Sequence, residues 1–353
     1  MRGVPADLAA PPTSAAASRR TAAQRALRRT VAPVLHPTRA SMRYITLAGV
    51  IAIAGSIATG GAVRLSDSGL GCSTWPDCTS SSLVAAGSRH STLIHAWVEF
   101  GNRLFVTLVI IVAALVLVAA WRYRPDRPAA GKAPAGWPAW RKRMVWLAVV
   151  QPAGVLLQAV LGGIVVLTDL NPVTVSIHFL ATIAILAAAV ALYARFAGGS
   201  PGPSVCIRPE LRWLSATMVA VTSLMLAAGT VVTGAGPLAG SGDVPRYQLP
   251  LEGVTQFHAD IGWLLGGLTV AMVVGLRLGG APQEAVRRGW QLLAMIGLQG
   301  VIGYAQYFSG LPAGLVWVHV LGATLVWIAA LRLFYALRPV GHELPAGPPQ
   351  QQA

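Results

Sequence analysis

Residues 157–166 read LQAVLGGIVV and residues 298–307 read LQGVIGYAQY. Each stretch is followed by a histidine, His178 or His319, lying 20 residues after a glutamine, Gln158 or Gln299. Gln158 to Gln299 is 141 residues, and so is His178 to His319. One offset shared by separate residues reads as an internal duplication. Both stretches sit in long apolar runs. Eight such runs occur, near 44–64, 93–121, 144–167, 173–194, 213–234, 254–276, 290–308 and 313–331. Runs of about 18 residues or more are long enough to span a bilayer as helices. They do not alternate as barrel strands would. The duplication divides the chain near residue 200, with four runs in each half. An even number of spans inserts both halves in the same orientation, as a parallel repeat.

The expected fold is therefore an all-α polytopic membrane protein. Its eight transmembrane helices form two tandem, pseudo-symmetric four-helix bundles. The composition agrees: 54% of the 353 residues are hydrophobic and 11% charged, and the mean hydropathy is +0.60. The expected divisions are a disordered basic tail at 1–42, an N-terminal half at 43–197, a linker at 198–212, a C-terminal half at 213–338 and a disordered tail at 339–353. The linker GGSPGPSVCIRPE, from Gly198, has the Gly and Pro content of a boundary.

A net charge of +15 is a signature shared with nucleic-acid binding, but its placement argues otherwise. Eight arginines lie in residues 1–43, seven Lys/Arg between the second and third runs, and three in each of 195–212 and 277–288. Arg332 and Arg338 follow the last run. With alternating spans these all fall on one side. The positive-inside rule then puts both termini in the cytoplasm. The Ala-, Arg- and Pro-rich tail resembles a mitochondrial transit peptide in composition. The same bias runs through the loops, so a bacterial plasma membrane is the expected location.

Four histidines, His95, His178, His258 and His319, lie a few residues inside the second, fourth, sixth and eighth runs. Those runs all travel from outside to inside, which places each histidine roughly 5–10 Å below the outer surface at about 1.5 Å per residue. Neutral imidazole is a good axial ligand for haem iron. Pairing His95 with His178 and His258 with His319 gives one haem site per half. The plainer alternative for any one of them is a polar packing residue.

The second run reads LIHAWVEFGNRLF from Leu93. His95, Glu99 and Asn102 share a helical face, and Arg103 follows. An acid and a guanidinium in a bilayer are costly unless paired or facing a polar cavity. Glu99 therefore marks a functional interior, or else a structural pair with Arg103. A further alternative turns Arg103 toward a haem propionate. The sixth run, TQFHADIGWLLGG from Thr255, keeps a histidine at His258. Counted from the histidine, it has Gly262 and Leu265 where the second has Glu99 and Asn102. The half with the acid is the expected seat of chemistry. The other is the expected seat of a held haem.

Two long outer loops are expected, near 65–92 and 235–253. Only the first, containing RLSDSGLGCSTWPDC from Arg64, has cysteines. Cys72 and Cys78 face the oxidising side and are spaced for a small disulfide loop. Two free thiols or a redox-active pair are the alternatives.

Taken together, the ExxxR pattern, the duplicated glutamine–histidine motifs and the loop GLGCSTWPDC resemble the haem A synthase family over about residues 43–338. The resemblance implies an oxidoreductase that converts the C8 methyl of haem O to a formyl group, giving haem A for terminal oxidases. It implies substrate haem at His178, a haem b cofactor with its iron at His258 and His319, and a catalytic role for Glu99; the residues themselves add His95 as the second substrate-haem histidine and Asn102 and Arg103 as catalytic neighbours of Glu99. It also implies Cys72 and Cys78 as the family's outer-loop pair. The chain departs from the family in two ways. The usual ExxHR motif has Asn102 in place of histidine. The second outer loop lacks the cysteines that some members carry. Counted from His95, both halves carry their histidine two turns before the family position.

The expected partners are haem O, haem O synthase, an electron acceptor that the sequence does not name, membrane lipid and a second copy of the chain. Nucleic acid is not among them. The rival readings are a dihaem membrane cytochrome without substrate chemistry and a transporter on a duplicated bundle. A carrier needs two similar sites, an enzyme needs one site with extra groups, and a transporter needs mid-membrane helix breaks in both halves.

Overall fold

The computed structural model describes residues 32–72, 74–79, 84, 92–124, 139–197 and 207–338. The expected tails before residue 32 and after 338, and linker residues 198–206 with Cys206, lie outside them. The long elements are all α-helices: α1 Arg39–Leu65, α2 Leu93–Arg122, α3 Ala139–Leu167, α4 Pro172–Ala197, α5 Pro209–Ala235, α6 Leu251–Leu278, α7 Gln283–Phe308 and α8 Ala313–Ala336. They extend past the apolar runs because capping and polar turns add to each end. Thr38 and Ser41 close the first turn of α1 reciprocally, each side chain accepting from the other's backbone N–H at 3.1 and 2.8 Å. In α5, Pro209 occupies the first turn, where a missing N–H costs nothing.

Seven of the eight are long and apolar enough to cross a membrane. The expected seventh span, in α7, does not meet that measure. It carries Gln291, Gln299 and Gln306 along its length and Glu284, Arg287 and Arg288 in its first two turns. Large apolar side chains elsewhere are turned outward, including Ile94, Trp213, Leu278 and Phe308. A surface of this kind suits lipid rather than water.

The helices pack as two closed rings. In the first, α1 touches α2, α2 touches α3, α3 touches α4, and α4 returns to α1. In the second, α5, α6, α7 and α8 repeat the same order of contacts. The rings meet through α1 with α8, α4 with α8, and α4 with α5. One apolar core, containing Ile53, Ile57, Ile183, Leu186, Leu226 and Trp327, runs through this junction. Trp327 also donates its indole N–H to the Ile183 carbonyl at 3.1 Å. Each ring has a further core of its own, around Met144 and Leu192 in the first and around Leu265 and Met272 in the second.

The duplication is visible in the turns. Between α3 and α4, Asp169 and Leu170 adopt φ of 50° and 56°. Between α7 and α8, Gly310 and Leu311 adopt 78° and 60°. These positions are again 141 apart. Leu170 N–H donates to Val165 O at 2.9 Å and Leu311 N–H to Gln306 O at 2.8 Å, one more pair at that offset. A left-handed leucine costs about 1 kcal/mol or more. At Leu170 the cost is offset by burial: its side chain packs with Ala239 and Val244 of the second ring's long loop.

Candidate functional site

Two of the four histidines are held identically. Gln158 of α3 donates its side-chain amide to the His178 carbonyl at 3.0 Å, and Gln299 of α7 donates to the His319 carbonyl at 2.8 Å. Each bond fixes the height of the histidine-bearing helix against its neighbour. The His178 ring lies over Gly162 and the His319 ring over Gly303. A Cβ on either glycine would meet Cε1 at 3.4 or 3.3 Å. Gly162 and Gly303 are once more 141 apart. Thr182 adds a bond in α4, accepting from Gln158 at 2.8 Å; the position 141 later is Ala323, which has no hydroxyl.

His258 of α6 lies over Gly229 of α5, where a Cβ would meet its Cε1 at 3.2 Å. Its Nδ1 is 3.1 Å from the Met225 carbonyl. A carbonyl only accepts, so Nδ1 carries the proton and Nε2 keeps a free lone pair. The His258 and His319 ring centres are 6.3 Å apart. A metal bound by imidazole lies about 2 Å from the nitrogen. With the half-width of each ring added, two imidazoles on opposite sides of one ion stand about 6 Å apart. The pair therefore has the spacing of a two-histidine iron site. Among the described residues no group of three or more His, Cys, Asp or Glu is gathered. A bare zinc site draws three or four ligands from the protein, whereas a haem supplies four from its macrocycle and takes one or two axial ligands. The residues fit a haem, and the Nδ1 atoms of His178 and His319, buried without a protein partner, leave both rings uncommitted.

His95 does not share this position. His178 and His319 are the seventh residues of their helices and His258 the eighth, but His95 is the third residue of α2. That places it about one turn nearer the loop end. Its Nδ1 is 2.9 Å from Ser68 Oγ, beyond the end of α1. The residue facing the first ring at the level of His258 is Asn102. Thr59, six residues before the end of α1, donates its hydroxyl to Asn102 Oδ1 at 2.7 Å. Gly229 is likewise six residues before the end of α5. Asn102 and His258 are thus counterparts, and Glu99 corresponds to Thr255. The expected match of Glu99 and Asn102 with Gly262 and Leu265, and the two-turn shift in the second half, are corrected accordingly. The error came from aligning the halves on His95.

Glu99 is buried, and each of its carboxylate oxygens accepts a hydrogen bond. One carboxylate oxygen accepts from Arg103 at 2.6 Å and the other from the Cys72 backbone N–H at 2.7 Å. Arg103 in turn donates to the carbonyls of Thr74, Pro76 and Asp77 at 3.1–3.2 Å. Cys72 and Cys78 form a disulfide, and both are fully buried. Glu99 and Arg103 therefore fasten the disulfide loop to α2. Trp75 of that loop lies on Gly163, where a Cβ would come within 2.6 Å of the indole. Gly163 adjoins the glycine under His178. The disulfide loop is thus seated on α3 at the height of His178, with Trp75 itself 39% exposed.

A family model described as cytochrome oxidase assembly protein, COX15-CtaA, matches residues 43–331, most of the chain. The chain belongs to this family. It is also similar to a "Heme A synthase" of Geobacillus thermodenitrificans, 33% identical over 113 residues. That match takes in 32% of this chain and 29% of the relative's length.

In this member of the family, then, a multi-pass membrane scaffold carries an oxidised loop and three histidines at one depth. Sequence reasoning missed Thr59, Trp75 and Gly229. Thr59 and Gly229 sit in apolar runs with no pattern of their own. Trp75 lies in the quoted loop, and its seat at Gly163 is marked by the Gly-Gly pair in LQAVLGGIVV, where the second copy has Gly303 followed by Tyr304.

Proposed function

We propose that this protein is a haem A synthase, oxidising the C8 methyl group of haem O to a formyl group. The observation carrying this reading is the difference between the rings. The second offers two facing histidines, His258 and His319. The first offers one, His178, opposite Asn102 and beneath a disulfide-bonded loop. A dihaem carrier would need two similar sites.

In this reading the eight helices cross the membrane as two pseudo-symmetric four-helix bundles, with α7 spanning from about residue 290. The termini are cytoplasmic and the loops of Cys72–Cys78 and of residues 236–250 are outside. His258 and His319 hold haem b, which supplies one-electron transfer when bound. His178 holds the substrate. Converting methyl to formyl adds one water oxygen and releases four protons and four electrons, so an electron acceptor outside the chain is required.

The protein's own groups bind, orient and exclude water. Thr59 donates to Asn102 Oδ1, which leaves the Asn102 amide N–H groups directed elsewhere, suited to hold a water or substrate oxygen. Both Glu99 carboxylate oxygens are bonded within the protein, and Glu99 serves as a positioning residue. With Arg103 it fastens the disulfide loop to α2 and so sets where Trp75 is seated on α3. His95 ties the helix start to Ser68 and is a structural residue of the loop end.

Extraction of haem from the purified protein, followed by co-expression with a source of haem O, tests the proposal. Haem b in the protein and haem A in the membranes are expected. Haem b with no haem A formed would leave the carrier reading standing instead.

A further inference from the structure

The outer junction of the two rings holds two arginines without acids. Arg64, at the end of α1, donates Nε to Leu238 O at 2.8 Å and Nη2 to Thr233 O at 2.6 Å. Arg246, from the loop between α5 and α6, donates Nη1 to Gly236 O at 2.5 Å. Both guanidinium groups thus gather at the C-terminal end of α5, Arg64 on Thr233 O and Arg246 on Gly236 O. Among the described residues no carboxylate lies within ion-pair distance of either; Asp67, Asp169, Asp243 and Glu252 all fall short.

A helix C-terminus presents about half a negative charge. Against two guanidinium charges, about +1.5 is left at a half-buried place. Arg64 and Arg246 also retain unused N–H groups, since each guanidinium has five. The site therefore suits a dianion, or two carboxylates, presented in a form a guanidinium can grip with paired bonds.

Its position relative to the histidines supplies the candidate. Thr233 is one turn beyond Gly229, the residue under His258, about 6 Å along α5. Trp317, two residues before His319, donates to Ala58 O of α1 at 2.9 Å, and Arg64 is six residues further along that helix. A haem carries two propionate carboxylates. In hydrocarbon they are costly, so they turn to the nearer polar surface, which is this loop end.

We propose that Arg64 and Arg246 bind the propionates of the haem held by His258 and His319, so that the first ring contributes a contact to the second ring's cofactor. This rests on the two-histidine haem reading above. The test uses the purified holoprotein and the variants Arg64→Gln and Arg246→Gln. Haem transfer to apomyoglobin should accelerate about tenfold in each, equivalent to about 1.4 kcal/mol. The haem midpoint potential should fall, because a positive charge near the iron favours the reduced form. Arg246→Gln leaves both Arg64 bonds between the rings in place, so it tests the charge with the packing intact. Wild-type transfer rates and potentials in both variants, with haem present, would overturn this proposal alone. A wild-type protein without haem would overturn the haem reading and the proposal together.

Discussion

The two rings share a glutamine, a histidine, a glycine and a left-handed turn at an offset of 141, but they finish the site differently. Opposite its shared histidine the second ring places His258, with the ring proton committed to Met225. The first places Asn102, held by Thr59. At its loop end the first ring has the Glu99–Arg103 pair, a disulfide and Trp75; the second has Tyr247 packed on Gly234 and no cysteine in the corresponding loop. Farther from the loops, Gln151 is buried in the first ring where Leu292 stands in the second. Duplication thus preserved how helices dock and freed the docked faces to diverge. In the proposed reading, one ring holds a group from both sides and the other holds it from one side.

The sharpest way to break this comparison is to remove one histidine at a time. His258→Ala or His319→Ala should lose the tightly held haem b and all conversion, while His178→Ala should keep haem b and lose conversion. Pyridine haemochrome content and haem A yield measure both, and loss of haem b in His178→Ala would contradict the division of roles.

Next comes the ion pair, which has no counterpart in the second ring. A fully buried pair broken on one side costs about 3–5 kcal/mol. The Arg103 side chain is 22% exposed, so Glu99→Gln should cost about 2 kcal/mol. Thermal unfolding should show it, with lower conversion and an unchanged haem b spectrum. A Glu99→Gln protein of full stability would mean that the loop is held by something else.

A smaller effect should follow from making the rings alike. Asn102→His gives the first ring the ligand set of the second, and bound haem O should become six-coordinate and low-spin, with about tenfold tighter binding. An unchanged absorption spectrum would show that Asn102 is not the counterpart of His258. The smallest effect is expected at the paired glycines. Gly303→Ala and Gly162→Ala each bring a methyl against a histidine ring, and the helix propensity gained offsets the crowding, so stability should change by less than about 1 kcal/mol. Only Gly303→Ala should disturb the haem b spectrum.

Much of the architecture was legible without coordinates. Apolar runs long enough to span a bilayer are decided by composition, and docking by Gln158 and Gln299 left a spacing that can be counted. The disulfide was legible as a short cysteine spacing on the oxidising side, though free thiols stayed open. The depth of His95 was not legible. Where α2 begins depends on how the loop after α1 folds back, and Thr92 at its start makes no side-chain capping bond. The pairing of Asn102 with Thr59 spans 43 residues and the seat of Trp75 on Gly163 spans 88, and neither leaves a periodic trace.

By itself the sequence determined that this chain is helical, apolar and duplicated, and that four histidines and two acids, Glu99 and Asp260, fall within its apolar runs. Those properties are local: they follow from the length and spacing of side chains along each helix. Only the tertiary structure decided that Asn102 and not His95 faces the first ring at histidine depth, that Glu99 is spent on Arg103 and the disulfide loop, and that Arg64 reaches across to the second ring. Those depend on the height at which one helix stands against the next, which loop closure and packing set together.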